Sequence, residues 1–286
     1  MNVAMKLVSK LYGSGIGRLP FVYKSYQALM PLVMGYQKVT VQLDGFKMLI
    51  DTGKYLNSNA TQVLFKKVHE PITTELFRLL LEEGDKVIDV GANIGYFTML
   101  AASLVGSCGR VYAFEPGDVA FNDLRNNVYI NSFSNIVAYN RAASDYFGER
   151  CLYVSKENTT NSLIRDSRLH TMSEVVSVDR IDRLISEQVK LIKIDTEGNE
   201  LEVLKGSRNL INKCESICVI LEISEKLKYH YDLLVETWIY LRSLKFDTMF
   251  IINEFNGTIQ PIDSVYDIRN KFDRNNMYLN LICFKG

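Results

Sequence analysis

The chain has 286 residues, 47% of them hydrophobic and 23% charged, with 33 basic and 33 acidic side chains. That length is one large domain, or one domain with an appendage, and the mixture excludes disorder, collagen and coiled coil. A zero net charge weighs against a protein whose task is to grip nucleic-acid phosphates, which needs a basic excess.

The balance is uneven along the chain. Residues 1–43 carry Lys6, Lys10, Arg18, Lys24 and Lys38 and no acid, which leaves 28 basic and 33 acidic residues in the rest. Such an arm reads either as a surface-binding element or as the solvated basic face of a helix. Lying on an anionic membrane, it would turn Leu7, Leu11, Phe21, Leu29 and Val33 to lipid. Packed on protein, the same side chains would serve the catalytic core or a homodimer interface. Strand-like Val39–Leu43 and Phe46–Asp51 follow, turning at Asp44-Gly45. Residues 1–70 are therefore expected to form a helix-plus-hairpin appendage, and residues 71–286 the main domain.

From Gly84 onward, β-branched runs alternate with helical patterns, the sign of a parallel sheet covered on both faces. Strands are expected at Lys86–Val90, Arg110–Phe114, Ile136–Asn140, Lys190–Asp195 and Ile217–Ile223. Helices are expected at Ile72–Glu82, Gly95–Leu104, Asp118–Asn131, Val178–Ser186, Asn199–Asn212 and Asp232–Lys245. Thr248–Asn253 and Met277–Phe284, joined by a polar connection rather than a helix, suggest a final antiparallel pair. Residues 151–172 interrupt the alternation with a strand, the polar tip Asn158–Ser162 and a return, a candidate substrate lid.

Val90–Gly109 holds 20 uncharged residues, enough to span a bilayer. Its opening Gly91, Asn93 and Gly95, with Asp89 just before, fit a glycine turn feeding a buried helix better, so no transmembrane helix is expected. The cysteines (108, 151, 214, 218 and 283) are odd in number, and no signal-peptide core follows the start. A reducing, cytoplasmic setting is expected, with peripheral membrane contact through the basic arm as a variant. No Cys or His pair completes a zinc set around Cys214 and Cys218.

The segment that carries chemistry is Val87-Ile88-Asp89-Val90-Gly91-Ala92-Asn93-Ile94-Gly95-Tyr96-Phe97-Thr98. A buried strand ends in an acid and turns through glycines, which let a ligand approach the main chain, into a helix whose first N–H groups are free. Glu115 stands twenty residues beyond Gly95 at the tip of the next strand, where a carboxylate accepts both hydroxyls of a ribose. The ligand is thus expected to contain a nucleoside. Asn93 replaces the middle glycine of a dinucleotide fingerprint, and Asp89 at the turn repels a pyrophosphate but suits an α-amino group. Both favour S-adenosylmethionine (SAM) over NAD.

Beyond these residues, the chain resembles the FkbM-type SAM-dependent methyltransferases. The matching stretches are Val87–Thr98, Phe114-Glu115-Pro116, Asn140–Asp145, Val178–Leu184, and Leu191-Ile192-Lys193-Ile194-Asp195-Thr196-Glu197-Gly198-Asn199-Glu200 followed by Leu204-Lys205-Gly206. The resemblance implies a class I α/β core of seven strands, mostly parallel, the last antiparallel. It also implies methyl transfer from SAM to a hydroxyl of a sugar, glycan or saccharide-containing intermediate. Asp89, Gly91, Asn93 and Gly95 would hold the methionine half of SAM and Glu115 its ribose. Asn140 and Ala142–Ser144 would edge the adenine, with Asp145 accepting from its amine. Asn140 and Asp145 serve equally as a turn residue and a cap.

Lys193, Asp195 and Glu197 alternate along the fourth strand and so share one face near its carboxyl end. An attacking hydroxyl needs its proton removed, which a positioned carboxylate can do. Asp195 or Glu197 is the expected base, with Lys193 tuning it or orienting the hydroxyl; a purely structural Lys193 ion pair is the alternative. His170 is a secondary candidate. Asp195, Glu197 and Glu222 offer hard oxygen ligands suited to Mg²⁺ or Ca²⁺, although their spacing does not demand a cation. Competing readings are a methyltransferase for a small natural product and a non-catalytic SAM-binding scaffold. No Asn/Asp-Pro-Pro-Tyr/Phe element for nitrogen methylation of bases or amides appears.

Overall fold

A computed structural model of the protein describes residues 37–55, 60–155, 161–164, 170–224, 231–271 and 278–286. The basic arm up to residue 36, with its proposed membrane or dimer contacts, lies outside the described residues, as do most of the polar tip of the insertion and His230.

The chain opens with the hairpin β1 (Lys38–Gln42) and β2 (Lys47–Asp51), then α1 (Thr52–Tyr55), α2 (Ala60–Lys66) and α3 (Pro71–Leu80). β3 (Lys86–Val90), α4 (Tyr96–Val105), β4 (Arg110–Phe114), α5 (Asp118–Asn131) and β5 (Ile136–Tyr139) follow. Next come β6 (Ala142–Ala143), β7 (Gly148–Ser155), β8 (His170–Asp179), α6 (Ile181–Leu184), β9 (Leu191–Ile194), α7 (Glu200–Gly206) and α8 (Arg208–Lys213). The chain closes with β10 (Ile217–Ser224), α9 (Tyr231–Ser243), β11 (Thr248–Asn253), β12 (Thr258–Pro261), α10 (Val265–Lys271) and β13 (Tyr278–Lys285).

The main sheet runs β12-β11-β13-β10-β9-β3-β4-β5. β5, β4, β3, β9 and β10 are mutually parallel, and β13 inserts antiparallel between β10 and β11. This is the class I methyltransferase order, with β12 added as an eighth, edge strand. Successive residues of each central strand enter different cores, as a period of two requires. Ile88, Val90, Ile192, Ile194, Val219 and Leu221 pack under α7–α10. Val87, Val111, Leu191, Ile220 and Ile282 pack under α2–α4 and the hairpin. The hairpin thus shares a core with the sheet: Val41, Met48 and Ile50 are buried there, and Asn127 and Asn131 of α5 accept the amides of Leu49 and Lys47.

The uncharged stretch that mimics a membrane span is the buried helix α4, with Tyr96–Ala102 and Val105 out of solvent. No described helix is long and apolar enough to cross a membrane.

The structure departs from the sequence pattern at four places. Val178 and Asp179 end β8 rather than start a helix: they pair with Ala142 and Ala143, and Arg180 is extended, so only Ile181–Leu184 turns helical. A run of β-branched valines favours the strand. The helix expected over Asn199–Asn212 breaks at Ser207, whose hydroxyl bonds the carbonyl of Val203, giving α7 and α8. The link between β11 and β13 holds β12 and α10 instead of a plain polar connection. Strand pairing in β9 ends at Ile194, so Glu197 lies in a turn beyond the pleat.

Candidate active site

At the C-terminal edge of the sheet, one row of polar side chains crosses four strands. Asp89 of β3 is the register partner of Lys193 on β9, and Lys193 is that of Ile220 on β10. Glu222, two residues further along β10, is paired with Asn280 of β13. Asp89, Lys193, Asp195, Glu222 and Asn280 therefore share a face, the one covered by α3 and α4.

Lys193 is the hub. Its side chain is 3% exposed, its Nζ donates to Asp195 Oδ2 at 2.9 Å, and it lies 4.7 Å from the centre of the Phe97 ring. Burial pulls its pKa down, but the carboxylates of Asp195, Glu70 and Asp89 outweigh this and hold it above the ordinary lysine range. Asp89 is 1% exposed and accepts from Thr98 Oγ1 at 2.6 Å. Burial raises its pKa against the opposing pull of Lys193.

Two residues just ahead of α3, His69 and Glu70, join this row. His69 packs edge-on against Tyr96, ring centres 5.5 Å apart, and burial, seconded by Lys193, pulls its pKa down to about 4. Its Nε2 lies 3.6 Å from Glu70, yet at neutral pH the imidazole is uncharged and the contact is no ion pair. Glu70 precedes α3 in a left-handed conformation (φ 44°) and receives Asn280 Nδ2 at 2.9 Å. Burial raises its pKa. The first amides of α3, on Ile72 and Thr73, are capped by Glu254 at 3.0 and 2.8 Å, which fixes the helix start over the row. The signal in the sequence is Pro71, which favours the first turn of a helix and places His69-Glu70 at its mouth.

The glycine turn lies beside the row. Gly91 has φ +79°, and a side-chain carbon there would overlap the backbone carbonyl of Asp195, so only glycine lets the turn touch the loop after β9. Asn93, at the position of the middle glycine, adopts φ 51°, which asparagine tolerates better than most residues. Its amide donates to Glu115 Oε2 at 2.8 Å, and Gly117 donates to Glu115 Oε1 at 2.9 Å. Burial pushes the Glu115 pKa up to about 7 against these two donors. A side chain on Gly117 would come within 3.1 Å of Glu115 Oε1 and 3.2 Å of Asn161 Nδ2, so glycine keeps added bulk away from the carboxylate.

The remaining expected residues hold the frame. Asn140 Nδ2 donates to the carbonyls of Glu115 and Pro116 at 3.2 and 3.0 Å, bracing the loop that carries Glu115. Ala142 is buried, and its neighbour Ala143 receives Asn199 Nδ2 at 3.0 Å. Asp145 Oδ1 accepts from the hydroxyl of Ser144 at 3.4 Å. Glu197 sits at φ 54°, because Glu200 Oε1 gathers the amides of Thr196 and Gly198 at 3.2 and 2.8 Å and curls the chain. The Glu197 carbonyl accepts from Ser162 at 2.7 Å, so the inserted ribbon touches this turn. Burial, together with Asp195 and Glu197, raises the Glu222 pKa well above the usual carboxylate range.

The family model of the methyltransferase FkbM domain matches residues 89–248, a stretch that begins at Asp89 and contains Glu115, Lys193, Asp195 and Glu222. The chain belongs to the FkbM methyltransferase family. It is 30% identical over 188 residues to the 31-O-demethyl-FK506 methyltransferase FkbM of Streptomyces tacrolimicus, covering 54% of this chain and 72% of that one. It is 27% identical over 150 residues to the hexuronic acid methyltransferase AglP of Haloferax volcanii, covering 51% and 60%. A crystal structure of a methyltransferase FkbM from Methylobacillus flagellatus superposes with a TM-score of 0.46 at 18% identity, covering 82% and 56%. The chain spans from 36% to 60% of the length of several curated relatives it matches.

Proposed function

We propose that the protein is a SAM-dependent O-methyltransferase whose acceptor is a hydroxyl of a saccharide or saccharide-containing intermediate. The observation that carries the donor reading is Glu115. It is a buried carboxylate at the end of β4 that accepts the backbone amides of Asn93 and Gly117 and so lies against the turn from Gly91 to Gly95. These residues fit SAM: Glu115 would hold the ribose hydroxyls, and the turn from Gly91 to Gly95 the methionine half. Asn140, Ala142 and Asp145 would frame the adenine. SAM supplies an electrophilic methyl group when bound.

The acceptor reading is supported by the row beyond the turn. Asp195, 24% exposed at its side chain and fixed by Lys193, would take the proton of the attacking hydroxyl. Lys193, buried and held charged, orients that carboxylate. A saccharide acceptor is further supported by the hexuronic acid methyltransferase among the relatives.

Calorimetry with SAM tests the donor site through its pH dependence. Below about pH 7 the Glu115 carboxyl holds a proton that it must release to accept both hydroxyls. Affinity is expected to fall by up to about tenfold per pH unit below that value and to level off above it. Glu115→Gln should remove the slope and weaken binding at pH 8 by about tenfold or more. A variant that keeps the wild-type slope would remove Glu115 from the site.

A further inference from the structure

The carboxylates of Glu70, Asp195 and Glu222 each offer an oxygen, and these three lie within 4.8 Å of one another. They come from the mouth of α3 and the ends of β9 and β10, and Lys193 is the ammonium bound to one of them. A second observation concerns Asn280, which is 1% exposed. Its Nδ2 is committed to Glu70 Oε2 at 2.9 Å and Thr73 Oγ1 at 3.1 Å, while its buried Oδ1 has no donor among the described residues. Flipping the amide would turn that oxygen onto the Glu70 carboxylate, so the orientation is set by its neighbours. Register places Asn280 directly opposite Glu222, and the carboxamide is thus wedged between two carboxylates. What this pocket lacks is positive charge: among the described residues, the carboxylates of Glu70, Asp195 and Glu222, with Asp89 beside them, face the ammonium of Lys193 in a buried setting, where uncompensated charge is costly.

We propose that Glu70, Asp195, Glu222 and the carbonyl oxygen of Asn280 form a site for one hard divalent cation of the Mg²⁺ or Mn²⁺ class. All four donors are oxygens, the set such ions prefer, and a dication offsets the carboxylate charge that Lys193 alone does not balance. Asp195 Oδ2 stays with Lys193, leaving its other oxygen for the ion. The site includes Glu70 and Asn280, neither of which belongs to the acids that alternate along β9. Its placement on the acceptor side of the methyl donor rests on the function proposed above; cation binding itself does not.

The test is Mn²⁺ titration of the full chain followed by electron paramagnetic resonance, with S-adenosylhomocysteine binding measured in parallel by calorimetry. One bound Mn²⁺ per chain is expected. Glu70→Gln and Glu222→Gln should each weaken it by about tenfold or more, the loss typical of removing a group that builds a metal site. Glu197→Gln, which removes a nearby carboxylate outside the set, should change affinity by about threefold at most. Asn280→Asp, which adds a charged ligand, should tighten binding. No Mn²⁺ binding by a wild-type chain that does bind S-adenosylhomocysteine would overturn the cation site and leave the methyl-donor reading intact. Binding indifferent to both glutamine variants would equally overturn it.

Discussion

Lys193→Met is expected to destabilise the protein by about 3–5 kcal/mol, because it strips the counterion from buried carboxylates while keeping the side chain's bulk. For a domain of this size that is a fall in Tm of about 6 °C or more. The loss should depend on pH. Glu70, Asp89 and Glu222 already have raised pKa values in the folded state, chiefly through burial. Removing the ammonium raises them further above their unfolded values. A carboxyl with a raised folded pKa binds more protons folded than unfolded, so its contribution to stability falls as pH rises. The deficit of Lys193→Met should therefore be small near pH 4, where carboxyls are protonated in both states, and grow towards pH 8. Thermal melts of both proteins across that range check this. A deficit independent of pH would mean that Lys193 contributes packing alone.

Gly91→Ala is expected to cost about 2–4 kcal/mol and to abolish SAM binding. Two penalties combine: a left-handed backbone that alanine disfavours, and a methyl group driven into the carbonyl of Asp195. The turn has little room to move, since Gly91 N donates to Phe114 O at 2.9 Å and Asp195 N to Val90 O at 2.9 Å. Relief would have to separate β3 from β9. Gly84→Ala is the control. Gly84 has φ +91° but nothing within 4 Å of an added carbon, so it carries only the backbone penalty, about 1 kcal/mol. Denaturant titration of the two variants separates overlap from strain; equal losses would show that the contact with Asp195 is of no consequence.

The parts of this site legible in the sequence are those written locally. The strand, acid, glycine turn and helix around Asp89–Gly95 follow from short-range pattern, as does Glu115 at the tip of the next strand. Lys193 and Asp195 follow from the two-residue period, and the structure joins them in an ion pair. That period fails at Glu197, where Glu200 reaches back four residues and curls the chain. Glu70 escaped for a different reason. Its partner Asn280 lies 210 residues away, and no local pattern announces a contact made only when β13 slots between β10 and β11. The strand at Val178 was hidden similarly: its pairing with Ala142 and Gly148 depends on the inserted ribbon folding back.

Methyl transfer to a saccharide is tested with isotopically labelled SAM and a panel of saccharides that includes hexuronic acids, read by mass spectrometry. Label is expected on a saccharide oxygen with wild-type protein, and should be lost with Asp195→Asn while SAM binding persists. Label found only on a non-saccharide acceptor, or SAM bound without transfer to any acceptor, would contradict saccharide methylation.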